Sequence, residues 1–170
     1  MELMELFEKR HSVRKFLPNA LPQKILDEIL EAGRLAPSAH NAQPQKILVV
    51  RSEEGLAKLR AITPRVFNAP LVLIVCSDKD VAWVNPWDNI SSAMMDCSVA
   101  TTQMMLKATE ADIGSCWICN FERKLVKEAF NIPKNYDLEC LLLLGYPDLK
   151  PSPYHSMRKP LSETVFYEHF

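Results

Sequence analysis

The chain has 170 residues, the length of about one domain, and this is enough to bury a hydrophobic core. Hydrophobic residues make up 48% and charged residues 24%, both close to globular averages, so a disordered chain is a poor interpretation. The formal net charge of -1 argues against a nucleic-acid-binding protein, whose binding surface is usually strongly basic.

The N-terminus and the cysteines favour a cytoplasmic protein. The sequence has no apolar run of roughly 18 residues, the length at which a membrane-spanning helix becomes a candidate. Residues 1–8 lack the basic start and long apolar stretch of a signal peptide. The five cysteines are odd in number and unevenly spaced, so we expect reduced thiols and no disulfide framework. We expect neither a membrane nor a nucleic acid as a partner.

A short amphipathic helix is predicted over roughly residues 2–9, and it runs into a basic segment. If that segment is extended, Arg10, Ser12 and Arg14 lie on one side of the backbone. Arginine binds phosphate oxygens in a bidentate manner, and serine adds a neutral donor. A solvated basic surface at a helix C-terminus is the alternative, and the segment alone favours it.

The second predicted helix begins at Pro22, because proline suits a first helical turn, and Pro37 stops it. Residues 38–45 form a loop by composition. Its small and amide-bearing residues would let a flat ligand approach the backbone, with Ser38 and Asn41 available for hydrogen bonds. An ordinary turn explains the loop equally well when it is considered alone.

Helices and strands alternate irregularly along the next hundred or so residues. Strands are predicted at 46–50, 71–76, 115–118 and 138–145, and helices at 53–62, 88–110 and 122–130. The strand at 138–145 is apolar on both faces, so we expect it near the centre of the sheet. The apolar face predicted for the longest helix includes Ile90, Met94, Cys97, Met104 and Leu106.

A proline-rich arm follows Gly145 and ends in three aromatic residues, Phe166, Tyr167 and Phe170. Such a segment cannot form a core alone, yet its aromatic side chains are large apolar groups that favour burial. Either the arm packs across its own domain or it wraps around a partner. The residues by themselves leave both possibilities open.

Other familiar motifs receive little support. Cys116 and Cys119 have the spacing of a redox or metal pair, but residues three apart in a strand face opposite sides. A structural zinc site would need a second pair of ligands at similar spacing, so we predict no metal site. The sequence has no glycine-rich phosphate loop and no Gly-x-Gly-x-x-Gly fingerprint, which leaves a Rossmann nucleotide site without support.

Four segments, taken in order, resemble the nitroreductase family of flavoproteins. They are RHSVRKF at 10–16, APSAHNAQP at 36–44, IGSCWI at 113–118 and RKPLSE at 158–163. The resemblance implies a single α+β domain over 1–170, with a mixed, largely antiparallel sheet flanked by helices in three layers. It also implies an intertwined homodimer in which the arm, 147–170, reaches onto the partner subunit. Two FMN molecules would be bound non-covalently at the interface.

By the same resemblance, Arg10 and Arg158 would hold the FMN phosphate. His11 and Ser12 would lie along the phosphate and the ribityl chain, and Arg14 would lie near the pyrimidine edge of the ring. A positive charge at that edge stabilises the anionic reduced flavin.

Two further segments complete the implied site. Pro37, Ser38, Ala39 and Asn41 would come from the other subunit and contact the ring and ribityl chain. Trp117, Ile118 and Cys119 would run along the face and N5 edge of the flavin. Three positions depart from the common family pattern: Gln45 replaces a tryptophan, Cys119-Asn120 replaces a glycine-rich pair, and Ser156 replaces a lysine.

The implied activity is NAD(P)H oxidation coupled to reduction of small acceptors such as nitroaromatics or quinones, with ping-pong kinetics. The protein would contribute position and electrostatics, so no catalytic side chain is predicted. Two alternatives stand beside it. A flavin-binding sensor or carrier would use the same residues without turnover, and a thiol-disulfide enzyme would use Cys116 and Cys119.

Overall fold

The computed structural model describes residues 2–170; Met1, the first residue of the predicted domain, lies outside the described part. The helices are α1 Leu3–Lys9, α2 Gln23–Arg34, α3 Glu53–Ile62, α4 Ala93–Glu110 and α5 Arg123–Ala129. The strands are β1 Gln45–Val50, β2 Leu71–Asp78, β3 Gly114–Ile118 and β4 Tyr136–Gly145. No helix within residues 2–170 combines the length and the apolarity needed to cross a membrane.

The four strands form one sheet in the order β1-β2-β4-β3, with antiparallel pairing between all neighbours. An isolated parallel bridge joins Ser12 to Ser115 beside β3. The predicted largely antiparallel α+β sheet is therefore confirmed. The prediction that 138–145 is central is also confirmed, since β4 pairs on both sides.

Both faces of the sheet are covered by helices, because the inner strands contain apolar runs, 71–76 of β2 and 140–144 of β4, whose side chains are buried on both faces. Val72 and Ile74 of β2 face a core that includes Leu59 of α3 and Val126 of α5. The alternate β2 residues, Leu71, Leu73 and Val75, face a second core formed mainly with α2 and α4. Because successive side chains of β2 point to opposite faces of the sheet, both faces are apolar and each must be covered by helices. This gives the predicted three-layer arrangement.

The longest helix begins later than predicted, at Ala93 and not at Asp88. The preceding residues form a small hairpin in which Val84 bridges Ser91 and Asn89 has a left-handed φ of 59°. The Asp88 carboxylate accepts hydrogen bonds from the Ile90 N–H and from Asn85. Such side-chain bonds to nearby backbone compete with the helix, which is why the apolar periodicity overestimated it. Ile90 and Met94, which we predicted on the buried face, are exposed.

The basic segment 10–14 lies extended against the edge of β3. The Val13 N–H donates to the Ser115 carbonyl oxygen at 2.8 Å, and the Val13 side chain is buried in the core. Because side chains alternate in extended backbone, burial of Val13 turns its neighbours Ser12 and Arg14 outward. The expectation that these residues share one side is met by this pairing.

The C-terminal arm divides into two halves. The first half packs on its own chain: Lys15 forms an ion pair with Asp148 at 2.7 Å, and the His155 ring contacts the Glu8 carbonyl oxygen at 2.5 Å. The second half, residues 159–170, is exposed throughout, including all three aromatic residues. The aromatic side chains of the second half are therefore available to reach a partner subunit.

The close approach of the basic segment to β3 depends on Gly114. A Cβ atom at this position would lie 2.7 Å from Val13 Cγ2 and 3.2 Å from the Gly145 carbonyl oxygen. We expect Gly114→Ala to lower the free energy of unfolding by about 1–3 kcal/mol, the usual effect of overpacking a core. Urea unfolding measures this change.

The double variant Gly114→Ala with Val13→Ala supplies the control for that experiment. Removing the Val13 methyl groups should relieve the contact. The double variant should therefore lose less unfolding free energy than the sum of the losses in the two single variants. Full additivity would contradict the assigned contact.

Candidate functional site

The structure brings the predicted phosphate residues into one cavity. Arg10, His11, Ser12, Arg14 and Arg158 all line a space of about 380 Å³. The first four come from the segment paired with β3, and Arg158 comes from the first half of the arm. They are separated by more than 140 positions in the sequence, so only the folded arm places Arg158 here. Ser152, Tyr154 and His155 of the same half complete the lining.

Three guanidinium groups share this cavity without a carboxylate partner. Among residues 2–170, no acidic side chain lies within 4.0 Å of Arg10, Arg14 or Arg158. Within the described chain, the Arg158 guanidinium donates only to the neighbouring Met157 carbonyl oxygen, at 2.8 Å. Like charges held together repel one another, so an anion in the cavity would be bound by charge-assisted hydrogen bonds.

Two histidines line the same cavity, each with one ring nitrogen directed at a backbone carbonyl. His11 Nδ1 lies 3.0 Å from the Lys9 oxygen, and His155 Nε2 lies 2.5 Å from the Glu8 oxygen. A carbonyl oxygen only accepts, so both of these nitrogens must carry the proton. His11 Nε2 is buried without a hydrogen-bond partner in the described chain, and with the proton on Nδ1 it is an acceptor in the neutral ring. The donors of the cavity are therefore its guanidinium and hydroxyl groups, and no carboxylate is among the described residues that line it.

The loop predicted to contact a flat ligand does not line this cavity. Ser38 leads into a short turn, Ala39–Asn41, and the Ala39 N–H donates to Asp96 Oδ1 at 2.9 Å. His40 stacks on Trp83 with ring centroids 5.3 Å apart. Two elements that are distant in sequence, α4 and the hairpin before it, therefore hold the loop in place.

The third predicted segment lies at the end of β3, also outside the cavity. The side chain of Ile118 is buried in the core, Trp117 is half-buried, and Cys119 is exposed just beyond the strand. Trp117 Nε1 donates to Cys119 Sγ at 3.2 Å. Any ligand here would therefore meet Trp117, Cys119 and the backbone, and not the Ile118 side chain.

The two cysteines of this strand do not form a pair. Cys116 faces the core, where burial raises the pKa of its thiol, although Arg14 and Ser12 oppose the shift. Cys119 lies on the exposed surface, as expected for residues of opposite direction. A protonated, buried thiol is a poor nucleophile, which disfavours the thiol-disulfide alternative. Nowhere in residues 2–170 do three or more His, Cys, Asp or Glu side chains form a group that could hold a metal ion.

A larger cavity of about 1220 Å³ lies between α5, the start of β4 and the start of α4, and contains none of the predicted residues. Most of its cations already have partners. Lys79 and Lys127 both contact Asp137, and Arg123 donates to the carbonyl oxygens of Leu138 and Glu139. The smaller cavity is the better anion site because its charge is not compensated.

Sequence reasoning missed several residues that the fold brings to these sites. Tyr154 and His155 line the smaller cavity. The feature of the sequence that could have revealed them is the group of polar residues within 152–155 of a proline-rich arm. Asp96 was also missed. Its signal in the sequence was an acidic residue that interrupts the apolar face of α4. The stack of Trp83 on His40 had no signal, because the two residues are 43 positions apart.

Comparison with known proteins identifies the family. The sequence model of the Nitroreductase family matches residues 7–65 and 58–146. The chain belongs to the nitroreductase family. A protein of Archaeoglobus fulgidus with the provisional name NADH dehydrogenase/NAD(P)H nitroreductase is 33% identical over 153 residues, which cover 86% of each chain.

Solved structures agree with this assignment. A nitroreductase family protein from Clostridium difficile 630 is 36% identical, with a TM-score of 0.95 and complete coverage of both chains. An FMN-dependent nitroreductase from Clostridium difficile R20291 is 27% identical, with a TM-score of 0.80 and coverage of 99% and 100%. The nitroreductase fold implied by the four sequence segments is thereby confirmed.

The uncompensated charge in the small cavity predicts that it binds inorganic phosphate. Phosphate should raise the thermal unfolding midpoint of the protein in proportion to the logarithm of its concentration, because a ligand of the folded state stabilises it. Arg10→Ala and Arg158→Ala should each weaken phosphate binding about tenfold or more, the value of one lost hydrogen bond between charged groups.

Lys124→Ala is the matched control, because it removes an exposed cation that lines the larger cavity. It should leave the phosphate response unchanged. A response that survives in both arginine variants would show that the anion binds elsewhere.

Proposed function

We propose that the chain is an FMN-dependent NAD(P)H oxidoreductase that reduces small acceptors such as nitroaromatics or quinones. The observation that carries the proposal is the cavity that Arg10, Arg14 and Arg158 line together, with no acidic partner among residues 2–170. The family membership adds to it, since one solved relative is itself FMN-dependent and a sequence relative is named for NAD(P)H.

The donors of the cavity fit the phosphate end of FMN. A phosphate monoester carries a charge of about -1.5 to -2 at neutral pH and has three acceptor oxygens. Arg10 and Arg158 would hold this group, while His11 and Ser12 would lie along the phosphate and the ribityl chain. Arg14 would hold a positive charge near the pyrimidine edge of the ring. These are the residues that the fold collects around one space.

The rest of the FMN site would require a second subunit. Pro37, Ser38, Ala39 and Asn41 do not line the phosphate cavity of their own chain. In a homodimer, this loop would contact the ring and ribityl chain bound to the partner. The segment from Trp117 to Cys119 would contribute its backbone along the N5 edge. Exposed apolar side chains on α1, α4 and the arm supply surface for such a dimer.

The chemistry that FMN supplies when bound is two-electron hydride transfer between NAD(P)H and an acceptor. The residues of the chain would bind and orient: the arginines fix the phosphate, and the loop and β3 define the two sides of the ring. We assign no catalytic side chain, because positioning and local charge suffice for a hydride transfer. A single open position that serves donor and acceptor in turn predicts ping-pong kinetics in a cytoplasmic enzyme.

Reduction of bound flavin tests this function directly. The purified protein should be yellow, with an absorbance band at about 450 nm that NADH or NADPH bleaches in a stopped-flow experiment. A nitroaromatic or quinone should then restore the colour. The variant Cys116→Ser with Cys119→Ser should still be bleached, because the two thiols lie on opposite sides of the strand.

The possible failures of this experiment are distinguishable. Bound FMN that neither NADH nor NADPH bleaches would indicate a flavin carrier or sensor. A colourless protein that takes up no added FMN would contradict the proposal altogether. Loss of bleaching in the double serine variant, with FMN fully bound, would make the thiols part of the reaction.

The second half of the arm is predicted to stabilise the homodimer. Phe166 and Phe170 contact each other at 5.2 Å between ring centroids, yet both are exposed on one chain. Burial of an aromatic side chain gains about 1.5–3 kcal/mol. Phe166→Ser with Phe170→Ser should therefore raise the dimer dissociation constant by at least about a hundredfold, as measured by analytical ultracentrifugation.

Truncation after Lys159 separates assembly from phosphate binding. It removes the exposed half of the arm and retains Arg158 in the cavity. The truncated chain should dissociate while still binding inorganic phosphate. A tight dimer of the truncated chain would place the interface elsewhere.

A further inference from the structure

The loop that would contact the flavin holds an unfavourable backbone. His40, Asn41 and Gln43 have φ values of 51°, 55° and 50°, in the left-handed region. Asparagine and histidine tolerate this region better than most residues, but glutamine rarely adopts it. Residues in such conformations persist only where surrounding contacts determine them, and they cluster at functional sites.

Contacts within the loop account for part of its shape. Ser38 Oγ accepts from the Gln43 N–H at 3.0 Å, and the Ser38 carbonyl oxygen accepts from the Asn41 N–H at 3.0 Å. These bonds close the loop on itself but do not fix its position on the protein. Position comes from the stack of His40 on Trp83 and from the bond between Ala39 and Asp96.

Asp96 is well suited to fix the loop. Its side chain is only 6% exposed and lies in the first turn of α4, the longest helix of the described chain. Oδ1 accepts from the Ala39 N–H at 2.9 Å, and Oδ2 accepts from Ser92 Oγ at 2.8 Å. No Lys, Arg or His of residues 2–170 lies within 4.0 Å of this carboxylate. The positive end of the helix dipole favours the charge there.

A buried carboxylate without a cation is costly, so its retention calls for a compensating role. Both oxygens are occupied, and the Ser92 bond fixes the rotamer that directs Oδ1 at Ala39. The hydrogen bond spans 57 positions in the sequence and joins a strained loop to a rigid helix. Among residues 2–170, it is the one hydrogen bond from a side chain outside the loop to the backbone of 37–43.

We propose that Asp96 is a positioning residue, which holds the loop 37–43 in the conformation that contacts the ring and ribityl chain of the flavin bound to the partner subunit. The inference rests on the proposed FMN function. It assigns Asp96 no contact with flavin or substrate, because the residue is buried and each of its oxygens accepts from a group of its own chain. Its effect passes through the Ala39 N–H.

The site should therefore consist of two separable halves. Arg158 would act on the phosphate alone, whereas Asp96 would act on the ring and ribityl chain. Riboflavin lacks the phosphate but keeps the rest of FMN. Asp96→Ala should weaken FMN and riboflavin by the same factor, about tenfold. Arg158→Ala should weaken FMN by a similar factor and leave riboflavin unchanged.

Two further variants test whether the position or the charge of the Asp96 oxygen that accepts from Ala39 is what matters for flavin binding. Asp96→Asn keeps an oxygen at the same distance and removes the charge, so it should bind both flavins nearly as the parent does. Asp96→Glu keeps the charge and displaces the oxygen by one methylene, so it should resemble Asp96→Ala. Sedimentation and thermal unfolding establish that each variant remains a folded dimer. If Asp96→Ala does not fold, the comparison of the Asn and Glu variants still decides.

The measurement is the dissociation constant of each flavin by quenching of flavin fluorescence, together with KM and kcat for NAD(P)H. Equal losses for both flavins, with rescue by Asp96→Asn and unchanged phosphate affinity, would support the proposal. Parent-like riboflavin binding in Asp96→Ala and Asp96→Glu would overturn it, as would an Asp96→Asn variant as impaired as Asp96→Glu. Failure of the parent protein to bind either flavin would instead refute the proposed FMN function.

Discussion

The two inner strands, β2 and β4, bury side chains on both faces, and a sheet of this kind must be covered by helices on both sides to exclude water. Eight consecutive residues of β2 are buried, and β4 is buried from Cys140 to Gly145. This requirement places α2 and α4 on one face and α3 and α5 on the other. It also leaves β3 at the edge of the sheet, where one side remains free to pair with the basic segment.

The phosphate cavity is a direct consequence of that free edge. The Val13 N–H pairs with the Ser115 carbonyl oxygen, and the pairing turns Ser12 and Arg14 away from the core. The arm then returns across the same region through the Lys15–Asp148 ion pair and adds Arg158. Within the described residues, these arginines face no carboxylate, although the chain as a whole is nearly neutral. A cavity that concentrates positive charge without a nearby carboxylate favours the binding of an anion.

A rigid scaffold and a strained loop serve different ends of the proposed flavin site. The phosphate donors lie on an extended segment held by a β bridge, whereas the loop 37–43 has three residues of left-handed φ and depends on α4 and Trp83 for its position. The loop and the phosphate cavity are separate on one chain. In the proposed homodimer, assembly of the full site would depend on a second copy, and dimerisation and flavin affinity should be linked.

The sequence by itself determined the elements and the chemistry of the basic segment. Hydrophobic periodicity located every α-helix and every strand of the sheet to within a few residues, except at the start of α4, where the Asp88 side chain makes local hydrogen bonds that periodicity does not register. The resemblance of four segments identified the family and selected the residues that the cavity unites. Tertiary structure alone decided which half of the arm packs against its own chain and that Tyr154 and His155 line the cavity. It also decided that Asp96 reaches Ala39, because such contacts join residues far apart in the chain and leave no periodic signal in the sequence.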